Sequence, residues 1–190
     1  MENLIGIIWK IIWNNYERER EIDELAQSLE QSDIKLDIVN WKEFRIGDLF
    51  EVYKSKNIVS DQLSNGKTPY VTRTILNNGI SSYVYKDNFK LNNKNSIIIG
   101  GESAKAFYQD RDYLTGNNIT ILSNDNLNKW IGLFIITVLN QETFKYCYGR
   151  AWNKTKIENS VIKLPIDQDG NPDWEYIEEY IKSLPFSKYL

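Results

Sequence analysis

Between Trp41 and Leu164 the chain is written almost entirely in short β-like runs separated by Asn, Gly and Ser. Phe50–Tyr53, Pro69–Thr74, Ser82–Tyr85, Ser96–Ile99 and Ile119–Leu122 are rich in β-branched and aromatic residues, which suit a pleated, half-buried surface. Asn65-Gly66, Asn78-Gly79, Gly100-Gly101 and Gly116-Asn117 fall between them, and such pairs tolerate the backbone of tight reversals. A stretch built this way is restricted to a β-rich domain with tight connections. One segment departs from the pattern. Across Lys129–Thr143, residues Trp130, Leu133, Phe134, Thr137 and Val138 recur at helical spacing, which predicts a helix packed on the sheet.

The two ends read differently. Residues 1–40 show an apolar helical stripe at Ile5, Ile8, Ile11 and Ile12, a charged turn at Glu17–Glu21, and a second stripe at Ile22, Leu25, Ala26 and Leu29. Alternation at Leu36, Ile38 and Trp41 predicts that the chain becomes extended there. At the other end, Leu164 runs into an Asp/Asn/Gly/Pro cluster and then into an amphipathic helix. Pro172 fixes φ ahead of Asp173, whose carboxylate can cap the next turn. Trp174, Ile177 and Ile181 form one face, Glu175, Glu178 and Glu179 the other, and Pro185 ends the helix. The expected class is α+β, a twisted β-rich domain with packed helices and flanking acidic helical elements. The expected parts are an N-terminal helical segment (1–40), the β-rich domain (41–165), and a turn with a short helix (166–190).

Two counts narrow the chemistry. The sequence has no histidine, which removes Ser-His-Asp and Cys-His catalysis and the commonest metal ligand. Its single cysteine, Cys147, excludes an intramolecular disulfide and any cysteine-based zinc site. The apolar run from Leu4 to Trp13 is interrupted by Lys10 and is too short for a membrane span, and Glu2 precedes it where a signal peptide carries positive charge. The expectation is a cytoplasmic protein with no membrane partner. Net charge is −3, but it is segregated. Residues 52–105 carry +5 and residues 141–163 carry +3, whereas residues 1–51 carry −6 and residues 164–190 carry −4. An acidic frame around a basic middle suits a nucleic-acid reader with acidic docking helices, or an ordinary mixed surface.

Several segments stand in the order of one known family. Trp41-Lys42-Glu43-Phe44-Arg45-Ile46-Gly47-Asp48-Leu49-Phe50 resembles its opening strand and turn. Thr68-Pro69-Tyr70-Val71-Thr72-Arg73-Thr74 with Asn77-Asn78-Gly79-Ile80 resembles its central block. Ala106-Phe107-Tyr108-Gln109 and Gly116-Asn117-Asn118-Ile119 resemble the following strands, and Tyr146-Cys147-Tyr148-Gly149-Arg150 and Leu164–Tyr180 complete the set. The family is the target-recognition domain of the specificity subunits of type I and related restriction–modification systems. The resemblance implies sequence-specific binding to double-stranded DNA. It also implies that such a domain reads one half of a split site and has no catalytic activity. Methylation and cleavage would then come from partner chains, a DNA methyltransferase subunit among them. A full specificity subunit has two recognition domains and two long helices. One domain and a short last helix imply either a homodimer or pairing with a second specificity chain.

Candidate contacts follow from chemistry. Phosphates take Lys, Arg and small polar donors, whereas base edges take Arg, Asn, Gln, Ser or Thr. Thr72, Arg73, Thr74 and Asn77 place such groups on a strand and the loop after it. Arg73 could fork onto a guanine and Asn77 could pair with an adenine, or Asn77 is a local cap and Asn78-Gly79 only a type I′ turn. Tyr148, Arg150, Trp152, Lys154 and Lys156 alternate aromatic with basic residues, as on a strand facing phosphate or on a half-buried strand with a wet face. Lys105, Gln109 and Arg111 follow the Gly100-Gly101 turn, and Lys54 and Lys56 are phosphate clamps or solvated lysines. No cofactor or metal is expected. Asp167, Asp169, Asp173 and Glu175 lack the glutamate that closes a calcium loop, and capping accounts for Asp173. Two other functions fit the residues less well. One is a truncated specificity subunit that docks and modulates a methyltransferase complex; the other is a metal nuclease centred on Glu102.

Overall fold

The computed structural model describes residues 38–146, 150–184 and 187, and residues 38–178 form one compact unit. The helical stripes expected between residues 5 and 29, Tyr148, and the stop at Pro185 lie outside the described residues. The fold is α+β, with antiparallel and mixed sheets and packed helices.

The central sheet has four strands in the order β2 (Glu51–Lys54), β8 (Ile119–Ser123), β5 (Ser96–Gly100), β6 (Ala106–Gln109). All neighbours are antiparallel, with Ile98 opposite Ile121 on one side and Phe107 on the other. Ile97, Ile98 and Ile99 are all buried, so the middle strand is covered on both faces, as a continuous apolar run requires. Ile98 joins Val71, Tyr113, Ile119 and Ile121 in a cluster that includes residues of a second sheet. That sheet runs β4 (Ile80–Val84), β3 (Asn65–Val71), β7 (Leu114–Thr115), with β3 and β7 parallel. The opposite face of the central sheet packs against helix α2 (Lys129–Gln141), where Gly132 lies against the ring of Tyr108. Asn128 starts α2 by accepting from the Trp130 and Ile131 N–H groups, and its amide donates to Glu178 at 2.6 Å.

A two-stranded ribbon brings the two ends of the compact unit together. β1 (Lys42–Arg45) pairs with β9 (Val161–Leu164), and the one-turn helix α1 (Ile46–Leu49) follows β1. Helix α3 (Lys154–Asn159) precedes β9 and is capped by Asn153, which accepts from Lys156 N–H at 3.0 Å. Helix α4 (Trp174–Ser183) starts as expected: the Asp173 carboxylate accepts from Tyr176 N–H at 2.9 Å, and Ile177 is fully buried.

Three expectations need correction. Asn65-Gly66 is not a turn. It lies inside β3, where Asn65 and Thr68 both oppose Val84 in a bulge, and a Cβ at Gly66 would come within 2.5 Å of the Val84 carbonyl. The strand expected through Thr74 ends at Val71, so Thr72–Thr74 belong to a loop. The alternation around residues 150–156 is not a strand either. Asn153 caps a helix there, and a local cap overrides a two-residue period.

Candidate nucleic-acid interface

Four connections meet at one end of the two sheets. The first is the end of β2, where Lys54 donates to Asn118 Oδ1 at 2.9 Å. The second is the β3–β4 loop, residues 72–79. The third is the β5–β6 hairpin, residues 100–105. The fourth is the β7–β8 turn, where Gly116 N–H donates to the Val71 carbonyl and Asn118 takes a left-handed φ of 59°. Close backbone approaches hold them together. A Cβ on Gly101 would meet the Asn118 amide at 2.8 Å, one on Gly100 would meet Arg73 Cα at 3.4 Å, and one on Gly116 would meet the Thr72 methyl at 3.4 Å. Glycine at 101 thus leaves room for the Asn118 side chain, while at Gly100 the tight neighbour is Ser103 Oγ of the same hairpin, 2.6 Å from where a Cβ would stand.

The β3–β4 loop is stiffly built. Thr72 N–H donates to the Gly79 carbonyl at its neck, and Gly79 N–H donates to Leu76 across a turn whose two central residues have positive φ, 48° at Asn77 and 57° at Asn78. Asparagine accepts that backbone more readily than other L-residues with side chains beyond Cβ. Asn78 is therefore a turn residue, and it also clamps: its side chain donates to the Tyr108 carbonyl at 2.6 Å, while Gln109 donates back to the Asn78 carbonyl at 2.9 Å. The tip is left to solvent. Arg73, Ile75, Leu76 and Asn77 are exposed, and Thr74 Oγ1 accepts from Leu76 N–H.

Arg73 Nη1 donates to Glu102 Oε2 at 2.5 Å, with both side chains about two-fifths exposed (39% and 42%). Lys105 lies at the base of the same hairpin, and its carbonyl accepts from Gly100 N–H. Lys54 is partly desolvated, which lowers its pKa below the ordinary lysine value. Lys54, Thr72, Arg73, Thr74, Asn77 and Lys105 are thus brought to one end, with Asn118 and Glu102 among them. Asn118 stood in the sequence only as part of the Gly116–Ile119 segment, with no contact role assigned to it. Glu102, the acid on which a metal nuclease would be centred, faces an arginine, and among the described residues no cluster of three or more acidic, His or Cys side chains could hold a metal ion.

The remaining candidates divide. Trp152 is fully buried: its N–H donates to the Gly101 carbonyl, its indole donates to Ser160 Oγ, and its ring stacks on Tyr146 at 4.7 Å. Gln109 is 3% exposed and serves as the loop clamp. Both are corrected from contact residues to structural ones, because neither can reach a ligand surface. Arg150 is exposed, two residues before Trp152, whose N–H donates to the Gly101 carbonyl of the β5–β6 hairpin. Lys154 is paired with Glu158 at 2.7 Å, and Lys156 donates to the Ala151 carbonyl. Lys56 and Arg111 lie elsewhere. Arg111 follows the far end of β6, between Asp110 and Asp112, and Lys56 lines a separate cleft of about 840 Å³ with Lys90, Lys94 and Asn92.

Residues 38–188 match the family described as the type I restriction modification DNA specificity domain. The chain belongs to that family. It is 26% identical over 149 residues to the type II restriction enzyme specificity subunit S.BcgI of Heyndrickxia coagulans, a match covering 77% of this chain and 44% of that one. Two solved structures share the fold. The type I restriction–modification S subunit from M. genitalium superposes with a TM-score of 0.59 at 14% identity, over 80% of this chain and 40% of that one. The HsdS subunit from Thermoanaerobacter tengcongensis gives 0.58 at 13% identity, over 98% and 48%. The chain spans 40–48% of the length of these three relatives. The docking-only reading gains nothing from these matches, whose shared subject is specificity. Among the described residues no helix is long and apolar enough to cross a membrane.

Proposed function

We propose that this specificity domain reads one half of a split site on double-stranded DNA and directs a partner methyltransferase to it, the chemistry being done by that partner. The reading surface is the end where Lys54, Thr72, Arg73, Thr74, Asn77 and Lys105 converge, bordered by Arg150, Lys154 and Lys156. The observation that carries this is the β3–β4 loop: rigid at its base, solvent-facing at its tip, and carrying a guanidinium where base edges could be read. Lysines around it would supply the salt-sensitive phosphate contacts, and the tip would supply selectivity. A second recognition domain, from another copy of this chain or from a different specificity chain, would read the other half-site. The whole assembly would act in the cytoplasm, where its DNA is.

The test is selection from a randomised duplex library with the full chain, alone and with a methyltransferase subunit. One enriched motif is expected, with log K for it falling linearly as log salt rises. Equal affinity across the library in both settings would refute the proposal.

A further inference from the structure

The Arg73–Glu102 pair is not an ordinary surface ion pair in its placement. The two residues come from different loops, and a Cβ built on Gly100 would rest in ordinary contact with Arg73 Cα, at 3.4 Å. Glu102 engages Nη1 alone. Nε and Nη2, the two nitrogens on the other edge of the guanidinium, have no protein partner among the described residues. That edge is one of the two that can donate in parallel to the O6 and N7 of a guanine.

We infer that Glu102 is a positioning residue for base reading: it holds Arg73 by Nη1 so that the Nε/Nη2 edge faces the major groove as a guanine fork. The inference rests on the DNA-reading assignment above and deepens it. Glu102 acts in two separable ways. As a hydrogen-bond acceptor it fixes the orientation of the guanidinium. As a charge it offsets Arg73, so the tip attracts phosphate less than a bare arginine would. Orientation favours one base pair, and neutralisation suppresses binding everywhere else. Both raise the ratio of specific to non-specific affinity.

The experiment uses the full chain, its library-selected duplex, every single-base-pair variant of that duplex, and a scrambled duplex, over a range of salt. Glu102→Ala removes both effects. The expected result is tighter binding to scrambled DNA, a log–log salt slope steeper by about 0.9 for one added phosphate contact, and loss of discrimination at one G·C pair by roughly 5- to 150-fold. Glu102→Gln keeps an acceptor for Nη1 without the charge. It should share the steeper slope and retain most of the discrimination. Arg73→Lys cannot fork and should lose discrimination at the same pair. A misfolded variant would instead lose affinity for both duplexes together.

Unchanged discrimination in Glu102→Ala, with a selective wild type, would overturn the inference and leave the DNA-reading assignment standing. Loss of discrimination in Glu102→Gln equal to that in Glu102→Ala would also overturn it, by showing that charge alone matters. A wild type with no base preference would overturn the assignment and the inference with it.

Discussion

Gly132 offers a direct test of how the reading loop is supported. It sits in the second turn of α2, against the ring of Tyr108 on β6. A Cβ there would lie 2.3 Å from Tyr108 Cδ2, 2.7 Å from Cε2 and 2.8 Å from Cγ. Carbon atoms in contact rest roughly 3.5–4.0 Å apart, so helix and ring would have to separate by about 1 Å or more. The ring is not free to retreat. Its hydroxyl donates to Asn95 Oδ1 at 2.6 Å, and its backbone, on the edge strand β6, is paired with Ile97 of β5. Two effects of Gly132→Ala oppose each other. Alanine gains about 0.8–1.0 kcal/mol in helix propensity over glycine. Overpacking costs about 1–3 kcal/mol, and breaking the phenol bond about 1 kcal/mol more. The clash wins, by about 1–3 kcal/mol.

Urea unfolding followed by tryptophan fluorescence measures this. The midpoint for Gly132→Ala should fall by on the order of 1 M with an unchanged slope. Tyr108→Phe cuts the tether while keeping the ring, so Gly132→Ala should cost less in that background than in the wild type, a coupling that a double-mutant cycle reads directly. A midpoint at or above the wild-type value would refute the reasoning, because it would mean that propensity outweighs packing at this contact.

Two further outcomes follow from the same region. Gln109→Leu leaves the Asn78 carbonyl without its partner and should cost about 1–3 kcal/mol; hydrogen exchange should accelerate at Thr72 and Gly79, and an equal loss of stability with unaltered exchange there would count against the clamp. Burial, helped by the Asp110 charge, pushes the Tyr108 hydroxyl up to about 12, and burial pushes Tyr113 up as well. The folded state therefore keeps protons that the unfolded state releases, so this contribution is present below the ordinary tyrosine pKa of 10 and is lost as pH rises from there towards about 12. Urea midpoints taken between about pH 9 and about pH 11 should fall less for Tyr108→Phe than for the wild type, with Lys54, whose shift acts in the opposite sense, common to both. Parallel lines for the two proteins would show that Tyr108 does not titrate differently in the two states.

The parts of this fold that were legible in the sequence are those decided within a few residues. Ser96–Ile99 had the β-branched composition of a strand, the α2 periodicity had one reading, and Asp173 sat where a cap belongs. What stayed hidden depends on partners far along the chain. The polar side chain of Gln109 looks like a ligand contact until the Asn78 carbonyl, 31 residues earlier, is seen to accept from it. Trp152 looks like one face of a strand until the Gly101 carbonyl and Ser160 hydroxyl claim its two N–H groups. β7 is only two residues long and pairs in parallel with β3, so neither length nor alternation announces it. At the site, Arg73 was legible as chemistry, but its orientation was not, because Glu102 comes from a different hairpin.

The loop that carries Arg73 is anchored through main-chain groups: the carbonyls of Leu76, Asn78, Gly79 and Tyr108 accept the bonds that shape it. Asn78 is the one loop side chain in that set, and it points inward. The outward-facing side chains at 73, 75, 76 and 77 take no part in the clamp, so their chemistry is separable from the fold. Such a loop loses little conformational freedom when it meets a ligand, and that saving is the usual source of affinity in a pre-organised site. It also explains why a carboxylate is needed beside Arg73. Anchoring the backbone fixes where Cα sits, but an arginine side chain still has several freely rotating bonds, and orienting its fork takes a second contact near the guanidinium. Glu102, presented by the neighbouring β5–β6 hairpin, is that contact.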